Sequence, residues 1–233
     1  MAKRRPGARP RPRLDLEMLV GAAIALLDEG GLDAITTRTL AARLGVRSPA
    51  LYWYIRDKNE LLDLVADAIC EPALEPTLAL VDDPGLSRRE RWAGSLRLYR
   101  AVLRSHRDAP RLLAERPPTG PVRRRLADAA VGYVLEAGFP EADAALISVL
   151  LSSYVISLVS EELRFEALAQ QPMPGGGQSD PAPSEAAFPN LDRIARQLSE
   201  IRPGSIFETG IEILFDGVER RLELLQKPEA LPE

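Results

Sequence analysis

TTRTLAARLGVRSPALYWYIRDKNELL, residues 36–62, is the stretch that decides the fold: it reads as two short helices around one glycine, followed by a capped third. Thr36 can cap the first of these helices, because its side-chain oxygen can accept an otherwise unpaired N–H of the first turn. Gly45 stands where that helix must stop, and without a Cβ it takes a left-handed C-cap conformation at little cost. Ser48 is a good N-cap, and Pro49 follows at the first helical position, where its missing N–H is no loss. Leu40, Leu44, Val46, Leu51 and Ile55 sit at spacings that let two crossed helices share a small core. The layout is that of a helix-turn-helix.

Thr37, Arg38, Ser48, Tyr52, Trp53 and Tyr54 are left over from that core. Tyr52, Trp53 and Tyr54 are consecutive and point about 100° apart on a helix, so at least one must face outward. Tyr O–H and Trp N–H can donate to phosphate oxygens, and a tyrosine ring can lie against a thymine methyl, so the helix suits a DNA major groove. The competing reading is that these rings cover the next helix.

The net charge of −4 argues at first against nucleic acid, but its distribution reverses the argument. Residues 1–58 hold 11 Lys/Arg against 6 Asp/Glu, net +5, which leaves 19 against 28 and a net −9 for the remainder. Lys3, Arg4, Arg5, Arg9, Arg11 and Arg13 lie in a Pro-rich head, residues 1–14, which reads as a disordered basic arm suited to following phosphates or entering a minor groove. A plain solvated tail is the alternative. The head leads into an amphipathic helix and not into a signal-peptide core, so a cytoplasmic protein is expected. Cys70 is the only cysteine and His106 the only histidine, which excludes an intrachain disulfide, a Cys-based zinc site and any two-histidine catalytic pair. No cofactor or metal is implied, and with no G-x-S-x-G elbow, P-loop or Rossmann fingerprint an enzyme is disfavoured.

Outside the quoted stretch, Leu16, Leu19, Val20, Ala23, Ile24 and Leu27 form a helical stripe that ends at Gly30 and Gly31. Asp57 with Glu60 resembles a capping box, opening a helix expected to stop before Pro72. Further helices are expected near 87–107, 121–138, 140–167, 191–201 and 205–225, and no strand pattern competes. Ala144 to Ser160 carries no charge over 17 residues, at the short limit for a membrane span. Five serines and the flanking Asp143 and Glu161 favour a helix buried in a bundle or at an oligomer interface instead. Residues 170–187, rich in Pro, Gly and Ser, read as a mobile loop. Ile206, Ile211, Leu214, Phe215, Val218, Leu222 and Leu225 share one broad face of the last helix, and pairing with 144–160 of a second chain would bury both; packing within one chain is the alternative. The expected fold is all-α, with a helix-turn-helix DNA-binding domain over 15–63 and a helical ligand-binding and dimerisation domain over 64–228.

The run at 36–62 is similar to the motif of the tetracycline-repressor (TetR) family, with Leu-Gly-Val at the turn and Pro-x-Leu-Tyr-Trp in the reading helix. Ser105–Asp108 (SHRD), Arg116-Pro117 and Ala137-Gly138-Phe139 extend the resemblance to the tetracycline-repressor subgroup's C-terminal domain. The resemblance implies an all-helical homodimer, probing a palindromic double-stranded operator and released by a small-molecule inducer, with repression as the default. It also implies that Arg38 contacts guanine bidentately, that Pro49 and Tyr52 touch bases or methyls, and that Thr37, Trp53, Tyr54 and Lys58 hold phosphates. Arg47 and Ser48 complete the expected DNA-contacting set; Ser48 replaces a longer amide residue, so the operator is expected to differ from that of the prototype.

On the inducer side the chain departs from the subgroup. Tetracycline recognition there uses a magnesium ion held by a histidine shortly after the SHRD-like segment, where this chain has Leu112 and Leu113. Glu161 matches a family carboxylate, but His106 lies too early to replace the histidine, and magnesium-tetracycline is not expected to be the ligand. Leu74, Trp92, Ser95, Tyr99, Leu113, Tyr133, Tyr154 and Glu161 are the candidate pocket residues, a mixture suited to a moderately hydrophobic small molecule, although each is also a credible core residue. The alternative function is a helical carrier or interaction protein without sequence-specific DNA binding. That reading leaves the basic head and the Tyr-Trp-Tyr helix unexplained.

Overall fold

Asp15 starts the first helix, α1 (Leu16–Gly30), by accepting the Met18 N–H at 2.8 Å. In the computed structural model, which describes residues 14–169 and 188–226, the chain is helical throughout apart from short connections. The basic arm up to residue 13 and the expected mobile loop at 170–187 lie outside the described residues.

A 3-10 turn over Leu32–Ala34 leads from α1 to α2 (Thr37–Leu44). Thr36 caps α2 in a reciprocal box: it accepts the Thr39 N–H at 3.1 Å, while the Thr39 hydroxyl accepts the Thr36 N–H at 3.0 Å. Gly45 follows with φ 65°, and its N–H reaches the carbonyls of Ala41 and Ala42, so it is the left-handed cap that the turn requires. The reading segment itself differs from expectation. It is a 3-10 helix, Ser48–Trp53, with Ser48 inside it and Arg47 in the cap position. Six residues provide too few turns to favour α geometry, and Pro49 at the start donates nothing to it. Leu19, Ala23, Leu27, Leu40, Leu51 and Ile55 close the small core beneath, while Leu44 and Val46 are only partly covered.

The next helix corrects the sequence reading most clearly. α3 (Lys58–Val81) runs through both Pro72 and Pro76 instead of stopping before the first. Each proline removes one intrahelical hydrogen bond, but Ile69, Cys70, Ala73, Leu74 and Thr77 are buried, and the tertiary packing outweighs the lost ladder bonds. The cap also differs in detail: Asp57 accepts the Glu60 N–H at 2.9 Å, yet the Glu60 carboxylate turns back to the N–H of Arg56 and not to that of Asp57. The expected domain boundary at 63/64 therefore falls inside one continuous helix.

Three helices pack against α3, namely α4 (Arg88–Ser105), α5 (Ala109–Glu115) and α6 (Pro121–Glu136), and α7 (Glu141–Ala169) packs in turn on those three. The sequence reading missed α5, whose seven residues are too few to show a period. The start of α6 is capped from another helix, since Asp67 of α3 accepts the N–H groups of Val122 and Arg123 at 3.2 and 2.8 Å. Gly120 permits this approach: a Cβ there would stand 2.4 Å from the Asp67 carboxyl carbon. In α7, Ala144, Ile147, Leu151, Val155 and Val159 face the core, and Glu162, 3% exposed, meets Arg100 at 2.7 Å and Arg104 at 3.0 Å. By length and composition Glu141–Leu168 is apolar enough to cross a membrane.

α8 (Pro189–Glu200) and α9 (Pro203–Gln226) complete the described chain. The expected stripe of α9 is divided. Ile211, Phe215 and Val218, with Phe207, are buried against the chain's own core, whereas Ile206 and Leu225 are exposed and Leu214 and Leu222 partly covered. Ile213 of α9 and Leu146, Val149 and Leu150 of α7 are exposed, with no cover from the described residues.

Candidate DNA-reading head and ligand cavity

Beyond Gly45 the chain presents a surface of side chains that the small core cannot use. Trp53 is 88% exposed and Tyr52 54%, and Arg38, Arg47, Pro49 and Lys58 are exposed around them, with Thr37 and Ser48 half-buried. So the rings do not simply cover the next helix. Tyr54 is the most engaged of the three aromatics, because its hydroxyl donates to the Leu14 carbonyl at 2.6 Å and ties the segment to the start of α1.

Charge pairing separates the cations here into two kinds. Arg43 is held by Glu29 through two bonds of 2.7 and 2.6 Å, and Arg56 by Glu60 at 3.2 Å. Among the described residues, Arg38, Arg47 and Lys58 have neither a side-chain hydrogen bond nor an ion pair. Lys58 moreover opens α3, where the helix dipole disfavours a cation. An exposed group of unpaired cations and aromatics is an arrangement that can accept phosphates and base edges.

Besides the continuous course of α3, four sets of contacts tie the reading head to the rest of the chain. Asp108, the one described non-glycine residue with positive φ (56°), accepts the Leu32 N–H at 2.9 Å. Gly31, itself at φ 76°, lets that carboxylate approach; a Cβ would lie 2.4 Å from its oxygen. His106 and the Arg107 N–H meet Asp28 at 3.0 and 3.3 Å, and Arg111 meets Asp33 at 3.1 Å. Arg116, just after α5, binds Asp63 at 2.7 and 2.8 Å and Asn59 at 3.1 Å on the first turns of α3. The SHRD segment is thus a joint between the two halves.

Between α3, α4, α6 and α7 lies a cavity of about 870 Å³. Trp92, Ser95, Tyr99, Leu113 and Tyr133 of the expected set line it. Leu74 is buried outside its wall, Tyr154 donates to the Ile206 carbonyl of α9 at 3.2 Å, and Glu161 is exposed beside Arg164. The Trp92 ring stands edge-on to Tyr133 at 6.2 Å and leans on Phe215 at 5.5 Å, making a fixed aromatic wall. Burial pushes the Tyr99 and Tyr133 phenols above their ordinary range, with Ser152 and Ser95 respectively pulling the other way. Both therefore stay protonated donors at neutral pH.

Sequence reasoning missed Thr77, Arg116, Arg123, Ser148 and Ser152 in the wall. A signal was present for the serines, since Ser148 and Ser152 lie four apart on one face of an otherwise apolar helix. None marked the arginines, because Arg123 begins a run of three that reads as solvated surface. Cys70 also lines the cavity, at 2% exposure, and desolvation pushes its thiol up to about 11. Raising this pKa favours the neutral thiol, so at pH 8 the folded protein is expected to react with a disulfide reagent about 10²-fold more slowly than the denatured chain. Equal labelling rates for native and urea-unfolded protein would show that the thiol is not desolvated.

Residues 19–65 match the family described as bacterial regulatory proteins, tetR family, and residues 74–222 the tetracyclin repressor-like C-terminal domain. The chain is 33% identical over 217 residues to the Escherichia coli tetracycline repressor protein class A from transposon 1721, covering 93% of this chain and 96% of that one. Among solved structures it resembles the Streptomyces coelicolor TetR family protein ActR in complex with actinorhodin: TM-score 0.73, 26% identity, 90% of this chain and 99% of that one. It also resembles BioQ with its double-stranded DNA operator: TM-score 0.61, 25% identity, 88% of this chain and 98% of that one.

Proposed function

The chain belongs to the tetR family of bacterial regulatory proteins, as a ligand-responsive repressor that binds operator DNA and is not an enzyme, and from that premise we propose how its residues divide the task. Family membership removes the alternative of a carrier without DNA function. Residues 15–63 form the reading domain and 64–228 the ligand and dimerisation domain, joined through α3. Arg38, Pro49 and Tyr52 read base edges in a palindromic operator; Thr37, Arg47, Ser48, Trp53 and Lys58 hold phosphates, while Tyr54, expected among them, spends its hydroxyl on the Leu14 carbonyl and braces the segment. The observation that carries this assignment is that exposed Arg38, Arg47 and Lys58 have no partner among the described residues, and that Tyr52 and Trp53 of the same motif are exposed, whereas Arg43 and Arg56 are internally paired.

The protein acts as a cytoplasmic homodimer, with no membrane partner. The buried Glu162 with its two arginines makes a bilayer a costly surrounding for α7, and the exposed leucines of α7 beside Ile213 of α9 suit a second copy better than lipid. The inducer is a small molecule held in the α3–α4–α6–α7 cavity. Arg116 links the mouth of that cavity to Asp63 and Asn59, five residues or fewer from Lys58, which supports coupling between ligand and reading head.

Magnesium-tetracycline is not that inducer. Leu113 stands in the cavity wall, the sole histidine is engaged by Asp28 outside it, and Glu161 lies on the surface. Selection of bound fragments from random DNA is expected to return a palindrome, and micromolar magnesium-tetracycline to leave the complex intact. Recovery of fragments without two-fold symmetry would remove the operator model; release by that complex would remove the exclusion.

A further inference from the structure

The cavity holds one cation that no carboxylate among the described residues neutralises. Its wall carries three charged side chains, Glu115, Arg116 and Arg123. Glu115 pairs with Arg111 at 2.9 Å and Arg116 with Asp63 at 2.7 Å, so neither presents a free charge. Among the described residues, no carboxylate lies within ion-pair distance of Arg123, and its guanidinium donates to main-chain oxygens alone, those of Pro117 at 3.2 Å and Arg116 at 2.6 Å. Asp67, the nearby acid on α3, is taken up by the N–H groups of Val122 and Arg123.

An unneutralised guanidinium at the edge of an apolar aromatic space is costly to desolvate unless an anion joins it, and its planar fork matches a carboxylate. The rest of the wall supplies flat apolar area in Trp92, Tyr99 and Tyr133, with protonated phenols as donors. We infer that the cavity takes an aromatic acid, its anion received by Arg123 and its ring system lying against Trp92 and Tyr133. This rests on the reading of the cavity as the inducer site. The consequence reaches the reading head: an anion bound by Arg123 competes with the carbonyls of Arg116 and Pro117, loosening the loop whose Arg116 holds Asp63 and Asn59.

The test uses two fluorescent probes of one skeleton, the anion 1-anilinonaphthalene-8-sulfonate and the neutral N-phenyl-1-naphthylamine, titrated against the full chain. Wild type is expected to bind the sulfonate more tightly by a factor on the order of 10 to 100. Arg123→Gln is expected to abolish that preference while still binding the neutral probe, Arg123→Lys to keep part of it, and Arg124→Gln, an exposed neighbour outside the wall, to keep all of it. Equal affinities in wild type, or a preference that survives Arg123→Gln, overturn the inference. Ala127→Trp, which fills the cavity, separates the two levels. If it blocks both probes while Arg123→Gln changes nothing, the cavity stands as a ligand site and the acid specificity falls. If both probes bind unaffected, the cavity reading itself falls.

Discussion

Glutamate at both Leu150 and Ile213 is expected to leave the protein monomeric and to weaken its hold on a full palindromic operator by about 10²- to 10⁴-fold. Both side chains are exposed, on α7 and α9, while the opposite faces of these helices are buried in the chain's own core through Leu151, Val155, Ile211 and Phe215. The substitutions therefore leave the monomer's packing intact. Across a two-fold axis each introduced carboxylate would face its own copy or an apolar neighbour, and burying an unpaired charge there costs several kcal/mol, on the order of the whole association energy. DNA affinity follows because two linked heads bind the second half-site at an effective concentration in the millimolar range. Sedimentation gives the oligomeric state and a half-site titration the residual affinity. A variant that sediments as a dimer would place the interface elsewhere, and a monomer that binds the palindrome as wild type does would show that affinity does not depend on linking two heads.

Arg38→Ala is expected to lower specific operator affinity by about 5- to 150-fold and to relax the sequence preference at one base pair in each half-site. Its guanidinium is exposed and has no partner among the described residues, so the loss is one of readout and not of folding. Lys58→Ala makes the contrast. Removing a phosphate contact is expected to weaken all sequences alike and to reduce the slope of log affinity against log salt by about one. Competitive selection on a library of single-base operator variants, run at two salt concentrations, distinguishes them. If the two variants give the same profile, the division between base-reading and phosphate-holding residues is wrong.

The joint between the halves was the least legible part of the chain. His106, Arg107 and Asp108 were visible only as a motif, because their partners Asp28, Glu29 and Leu32 lie more than 70 residues away. α5 is too short to show a period, and local rules put a helix boundary before Pro72 where packing carries α3 on through Pro72 and Pro76. Five of the eight expected pocket residues line the cavity, but Arg123 was unreadable: nothing in a run of three arginines tells which one turns toward an enclosed space.

What the sequence determined by itself is the local architecture. Caps, turns and apolar periods depend on neighbours within a few residues, so Thr36, Gly45 and Pro49 announce the reading motif, and the stripe of α1 and the uncharged run of α7 announce their helices. The tertiary structure alone decided which charges are satisfied. Whether an arginine is free or paired, and whether a proline is tolerated, depends on groups brought from distant positions: Glu29 answers Arg43, Asp63 answers Arg116, and among the described residues no acid answers Arg38 or Arg123. Electrostatic and packing energies are set by separation in space, and only the folded chain sets those separations.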